Sequence, residues 1–420
     1  MSLRVTGVER ITLHVPFRER SRPWNEILVA EFAVVEVVRV RTSSPGLVGY
    51  GESLPHYTWA RTTDEAVGRV VGRHPAELMA DDSLGAGLQM ALYDVVGKVL
   101  EAPIYQLLGQ PAVRKWCPLA WWSTKMPPEV LAEEAKDALS EGYLAHKLKA
   151  RPWFDIREQV AAISAVTPGT YVLDLDWNGM LRTPGEAIEV LRELDSLRNI
   201  GMYESPVLQS DVAGQKAVRA KVDRPLAEHY NQALFPIWMR EDAIDGFVSC
   251  NAGAAGTIAQ GLQAAAFNKD LFLQIVGPGL TTAWTLHLGA VLTHARWPAV
   301  TCLNVYADDL ITEPIEISGG YARVPEAPGL GVTFDEGALE RWRVADGFTP
   351  PETRKLLSFH LGDGRVRLYA GIKQLFHECR YVGNLPVQPR GARLAVQEDD
   401  GSGEFDARYR RASNSPIWLA

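Results

Sequence analysis

Cysteine is scarce: four residues in 420, Cys117, Cys250, Cys302 and Cys379, with no CxxC pair among them. That spacing argues against a disulfide framework or a thiolate zinc site, and Cys250 and Cys302 read as small core residues on strands. A basic excess is also missing. With a formal net charge of −8 and no Lys/Arg cluster, the chain lacks the electrostatic footprint of a nucleic-acid binder. No apolar run reaches membrane-spanning length, and the opening MSLRVTGVERITLHVPF has no signal-peptide core, so a cytoplasmic protein without membrane or nucleic-acid partners is expected. What is present is core material. At 46 % hydrophobic and 22 % charged residues, the chain can bury a barrel plus an appended domain, and its twelve tryptophans read as core and pocket wall.

Residues 1 to about 52 alternate as strands do (RITLHVPF, ILVAEFAVVEVVRVRT) and end in the turn SPGLVGYGE, which predicts an antiparallel meander. From Thr63 to about Gly109 the period turns helical, with Leu88, Ala91, Leu92 and Val95 on one stripe. Eight short apolar runs follow: CPLAWW, AHKLK, YVLDLD, GMYESP, RPLAEH, GFVSCN, LFLQIV and VTCLNV. Amphipathic helices separate them, one with Thr183 as N-cap and Pro184 at its first position. The expected fold is α/β: a modified (β/α)8 TIM-type barrel over 116–344, behind an N-terminal α+β capping domain (1–115). A C-terminal β-rich extension (345–420) should pack on the cap or a subunit interface, because LLSFHLGDGRVRLYA and RLAVQEDDGSGEFDARY both read as β-hairpins.

Lys149, Asp176, Glu204 and Glu228 each close an apolar run and lie about 24 to 28 residues apart, one βα unit. Strand C-termini of such a barrel share one face, so the four should converge. Three carboxylates beside an ammonium group suggest a hard divalent cation and a proton-transfer base. Period-2 alternation turns Lys147 and Lys149 to the same side, into the mouth. Alternation sends His146 the other way, and Trp177 should point into the barrel wall.

These residues resemble the enolase superfamily, in its mandelate racemase and muconate lactonizing branch. The marks are GYGE (49–52), ALYDVVGKVLEAPIYQLLG (91–109), KLK (147–149), DWN (176–178), YESP (203–206), LAEH (226–229) and PGLGVTFDEGALERWRV (328–344), in order and one unit apart. The resemblance implies Mg²⁺ held by Asp176, Glu204 and Glu228, with Lys149 as the base and Lys147 as its electrostatic partner. It implies removal of a proton alpha to a carboxylate with stabilisation of the enediolate, and an expected homo-oligomer acting on a small-molecule carboxylate. Asp174 competes with Asp176 for the ligand role, but the family's Asp-x-Asn pattern, completed by Asn178, favours Asp176.

The second face of the site departs from the family. Phe247 stands where a racemase or lactonizing enzyme would carry an Asp or Lys, and Gly279 where a His would fall; the face offers only the amides Asn251, Gln274 and Asn304. One-face chemistry favours dehydration of an acid sugar or hydroxy acid to a 2-keto acid. The alternatives are a racemase or epimerase of a carboxylate, and a non-catalytic metal-binding oligomer. Three acids could serve as the proton donor: His229, Asp308 and Asp309, with alternation turning His229 toward the helix layer. Substrate contacts are expected from Asn178, Arg151, Gln274 and Asn304. Two cap loops, 17–27 and 53–63, should close over the mouth as an aromatic and cationic lid with Arg18, Arg20, Arg22, Trp24, His56, Tyr57 and Trp59.

Overall fold

A computed structural model describes residues 3–57, 61–197, 199–250, 253–351 and 354–419. Trp59 and Asn251 lie outside the described residues. The meander forms as expected: β1 (Val5–His14), β2 (Val34–Thr42) and β3 (Val48–Ser53) pair antiparallel in that order. The predicted stripe Leu88, Ala91, Leu92 and Val95 lies on the helix Ala86–Val99 and is buried against Val38 and Val40. Close approach of helix to sheet depends on glycine, since a Cβ at Gly51 would stand 2.1 Å from the Gly87 carbonyl oxygen.

At the end of β3, Glu52 is fully buried and accepts a 2.7 Å hydrogen bond from the Thr281 amide at the start of the helix Gly279–Val291. Its other oxygen has no donor, and burial pushes its carboxyl up to about 8. Such an acid stays protonated in the fold at a pH where the unfolded chain has already ionised. Its contribution is therefore complete below its ordinary 4.5 and is lost as the pH climbs to about 8. Glu52→Gln should stabilise the protein by about 2–4 kcal/mol at pH 8.5 in denaturant melts, and by far less at pH 4.5. Equal shifts at both pH values would contradict this.

After β4 (Trp116–Pro118), seven parallel strands run round the barrel in sequence order: β5 (Trp121–Ser123), β6 (Ala145–Lys149), β7 (Val172–Asp176), β8 (Ile200–Glu204), β9 (Leu226–His229), β10 (Gly246–Cys250) and β11 (Asp270–Gln274). Two of the eight expected runs behave differently. CPLAWW splits, β4 pairing instead with β13 (Tyr321–Arg323), which follows β12 (Ile317–Ser318). VTCLNV is no continuous strand, because Cys302 takes a left-handed backbone (φ 59°) and a 3-10 turn, Leu303–Val305, follows. The barrel closes there through single parallel bridges, Gln274 with Val300 and Leu119 with Ala299. The chain then returns to the cap: Val344 N–H donates to the Thr12 carbonyl at 3.0 Å, and the buried Asp94 carboxylate accepts from the amides of Tyr50 and Leu330, both at 2.9 Å.

The extension is an antiparallel sheet of β14 (Lys355–His360), β15 (Val366–Tyr369), β16 (Arg393–Glu398) and β17 (Ile417–Leu419), ordered β16-β14-β15-β17. Its first hairpin matches the expectation. The second does not exist: Gly403–Asn414 is a helix, capped by the Ser402 hydroxyl accepting from Phe405 N–H at 3.0 Å. Phe405, Tyr409 and Ala412 recur at helical spacing and pack on Leu356 and Leu368, which outweighs the Gly/Asp turn signal. Between extension and barrel lies a separate apolar core, with Trp153, Phe154 and Met180 from the barrel against Leu357, Phe359, Tyr369, Leu375 and Leu394.

Candidate active site

Register assembles the site. Lys147 lies opposite Asp174, Lys149 opposite Asp176, Asp176 opposite Glu204, and Glu204 opposite Ala227. Each of these side chains is buried or nearly so. Lys149 Nζ donates to Asp176, while Lys147 Nζ stands 2.5 Å from Glu204, 4.0 Å from Asp176 and 2.6 Å from the Gln274 Oε1 it donates to. Opposed charges then sort the titrations. Burial lowers Lys149 and outweighs the attraction of Asp176, as a general base requires. Burial would lower Lys147 too, but Glu204 and Asp176 overcome it and hold Lys147 up as a cation. Asp176 stays well below the usual carboxylate range because Lys149, Lys147 and Arg151 outweigh its burial. Asp174 has no such set of cations, and burial raises it to about 7.

On β9 the register pairs Ala227 with Glu204, Glu228 with Phe247 and His229 with Val248, and the Glu228 carboxyl stays close enough to Glu204 and Asp176 for their charges to add to burial in pushing it up. Glu228 accepts from the Ser205 hydroxyl at 2.8 Å and from Gln215 Nε2 at 3.0 Å, the latter on the helix Val212–Arg219. Burial pushes it up to about 8. His229, expected among the helices, instead brings Nε2 to 3.0 Å from Glu204 Oε1 and Nδ1 to 3.1 Å from Cys250 Sγ.

Other expected contacts divide. Tyr57 stays 42 % exposed; its ring packs on Phe32 at 4.4 Å, and burial of its hydroxyl, with smaller pushes from Cys302, Cys250, Asp176 and Glu204, raises it. Gln274 is present through Lys147. Asn304 is committed elsewhere, its amide bridging the backbone N–H and carbonyl of Trp122 at 3.0 and 2.8 Å, so it seals the barrel seam. Arg151 is spent on the carbonyls of Ala150 and Asp176 and on Asn178 Oδ1, which fixes the loop after β7. Asn178 sits there with a left-handed backbone (φ 48°), and its N–H donates to Asp176 Oδ1 at 2.9 Å. Trp24 packs edge-on against Phe154 at 5.7 Å, and His56 Nε2 lies 3.3 Å from the Phe348 carbonyl oxygen. The cationic lid is not free either, since Arg18 pairs with Glu141 and Arg20 with Asp137. Asp308 is taken by Arg341 and Trp342. His146 and Trp177 sit as expected, His146 between Ser123 and Tyr171, and Trp177 against Tyr203.

Sequence reasoning missed Lys125. It is buried just past β5, where the charges of Arg151 and Lys149 add to burial in pushing its ammonium well down. Its position after a strand was the available signal. Phe376 and Arg380, contributed by the extension to a cavity of about 230 Å³ beside His229 and Asn178, gave none.

Among the described residues no group of three or more His, Cys, Asp or Glu side chains is gathered to hold an ion as they stand, because ammonium groups lie against the carboxylates. The donor set nevertheless fits a divalent cation. Asp176 and Glu204 are held anionic, and Glu228, a third carboxyl raised by burial, lies close enough to both for their charges to push it further up, as three oxygen donors gathered for a cation would be.

The family described as Enolase C-terminal domain-like matches residues 130–338. Arabinonate dehydratase of Saccharolobus solfataricus is 27 % identical over 75 % of this chain and 92 % of its own length. N-succinyl-L-Arg/Lys racemase of Bacillus cereus is 28 % identical over 45 % of this chain and 56 % of its own. The solved 2-chloromuconate cycloisomerase of Rhodococcus opacus 1CP shares the fold, with TM-score 0.67 at 19 % identity, covering 82 % of this chain and 100 % of that one. The family match over residues 130–338, with the curated relatives beside it, makes the chain a member of the enolase superfamily, in its mandelate racemase and muconate lactonizing branch.

Proposed function

We propose that the protein is a Mg²⁺-dependent hydro-lyase that removes the proton alpha to the carboxylate of an acid sugar or hydroxy acid and expels the β-hydroxyl as water, giving a 2-keto acid. One observation carries this reading: proton-transfer groups crowd onto one side of the mouth. Lys147, Lys149, Asp174 and Asp176 end β6 and β7, whereas the described residues of β10, the end of β11 and the segment 299–305 offer thiols, hydroxyls and amides. An epimerase needs an acid/base on both faces of the carbon; an elimination does not.

Lys149, whose ammonium burial pushes down, takes the α-proton. Lys147, kept cationic, holds the substrate carboxylate as negative charge builds on it, with Gln274 fixing its ammonium. The proton on Lys149 is then available to the departing hydroxyl on the same face. Asp176, Glu204 and Glu228 would hold the cation, Glu228 lying close enough to the other two for their charges to add to burial in raising it. A bound Mg²⁺ supplies Lewis-acid stabilisation of the carboxylate as it gains charge. The relatedness to arabinonate dehydratase supports an acid sugar as substrate.

The test is a library of acid sugars and hydroxy acids with Mg²⁺, read for 2-keto acid, together with a pH profile on any positive. Turnover should rise with pH through a Lys149 pKa below the ordinary 10.5. Silence across the library with Mg²⁺ bound would remove the hydro-lyase reading.

A further inference from the structure

The cavity of about 230 Å³ beside the site has two makers. Asn178, Gly179, Ser205, Glu228 and His229 come from the barrel rim, and Phe376 and Arg380 come from the extension, beyond the family match that ends at residue 338. Arg380 sits on a π-helical turn, Glu378–Val382, an irregularity that aims side chains away from the ordinary helical track and recurs at functional sites. Its guanidinium lies over Phe376 (5.7 Å) and Tyr381 (5.2 Å) and reaches the loop after β7, so that a Cβ on Gly179 would stand 3.6 Å from Nη2. Among the described residues it makes no ion pair and no hydrogen bond, and its Nε is out of reach of water. Three cations at the mouth are engaged: Lys149 with Asp176, Lys147 with Glu204, Arg151 with Asn178. Glu228, which lines the same cavity, directs its oxygens to Ser205 and Gln215.

We propose that Arg380 is a specificity-determining residue that receives a second anionic group at the end of the substrate distant from the reacting carboxylate, so that the protein selects dianionic acid sugars. A guanidinium with five donors, lying near two aromatic rings and lacking a partner, is built for a planar or tetrahedral oxyanion. The distal group could be a carboxylate or a phosphate ester, which share this chemistry. This inference rests on the proposed acid-sugar reading for its substrate.

The experiment measures binding by calorimetry in the Mg²⁺-loaded Lys149→Ala enzyme, where turnover does not interfere. The probes are gluconate (one anionic end), glucarate (two carboxylates) and 6-phosphogluconate (carboxylate and phosphate). At least one dianion should bind tenfold or more tightly than gluconate, and whichever wins identifies the distal group. Adding Arg380→Met should reduce that dianion to the gluconate level and leave gluconate within about twofold, while Arg380→Lys recovers part of the loss. No preference for either dianion, or equal loss for all three acids in Arg380→Met, overturns the proposal. An Arg380-dependent preference in an enzyme that forms no keto acid would overturn the hydro-lyase reading and leave this one standing.

Discussion

Replacing Lys149 with Met should lower kcat by about 10³–10⁴-fold, equivalent to about 4–5.5 kcal/mol of barrel-mouth chemistry, with little change in folding. The side-chain volume is kept, so the strand β6 and its partners should hold. Asp176 then loses its closest cation while retaining Lys147 at 4.0 Å and Arg151 nearby. Since the Lys149 ammonium and a divalent cation compete for the same carboxylate, Mg²⁺ affinity in Lys149→Met should be unchanged or higher. That separates a lost base from a collapsed site. A variant that loses activity together with metal binding would show that Lys149 is structural. A variant that retains more than a tenth of wild-type kcat would remove it from the reaction.

Trp153→Ala should destabilise the protein by about 3–5 kcal/mol. The indole is fully buried in the apolar core that joins the barrel to the extension, beside Phe154, Met180, Leu357 and Phe359. Its Nε1 has no acceptor there, so the residue serves by volume and contact alone. The cavity left behind cannot be refilled from either side without moving the loop that Arg151 and Asn178 hold. Denaturant melts give the magnitude, and limited proteolysis should cut the extension first. A loss under about 1 kcal/mol would mean that polar ties, such as Asp155 to the Gly391 amide at 2.9 Å, dominate the docking.

The fold was legible where hydrophobic period and turn chemistry agree. The meander, the stripe on the helix Ala86–Val99 and the alternating run of strands and helices all follow from spacing. The second extension hairpin misled because a DDGSG turn precedes a helix cap as readily as a strand, and only the i, i+4 recurrence of Phe405 and Tyr409 tells them apart. Within the site, Lys147, Lys149, Asp176 and Glu204 were readable because they end strands in step. His229 was not, since a strand of four residues leaves its phase open by one, and one residue exchanges lumen for helix layer. For Asn304 and Arg151 the sequence leaves substrate contact and binding to loop or rim groups equally open; the seam closure and loop anchoring that occupy them are long-range contacts that no local pattern encodes. Arg380 lies over two hundred residues from the lysines, in a segment with no shared motif.

The central claim is removal of an α-proton by a single-faced base followed by loss of water. Incubating the Mg²⁺-loaded enzyme in D₂O with aldonic and aldaric acids, and following the products by NMR, tests it most directly. The account predicts a 2-keto-3-deoxy acid that carries solvent deuterium at C3, where the enol is protonated, and no deuterium at C2 of recovered substrate. Recovered acid with its carbon skeleton intact, deuterated at C2 and inverted there, would contradict it and identify an epimerase.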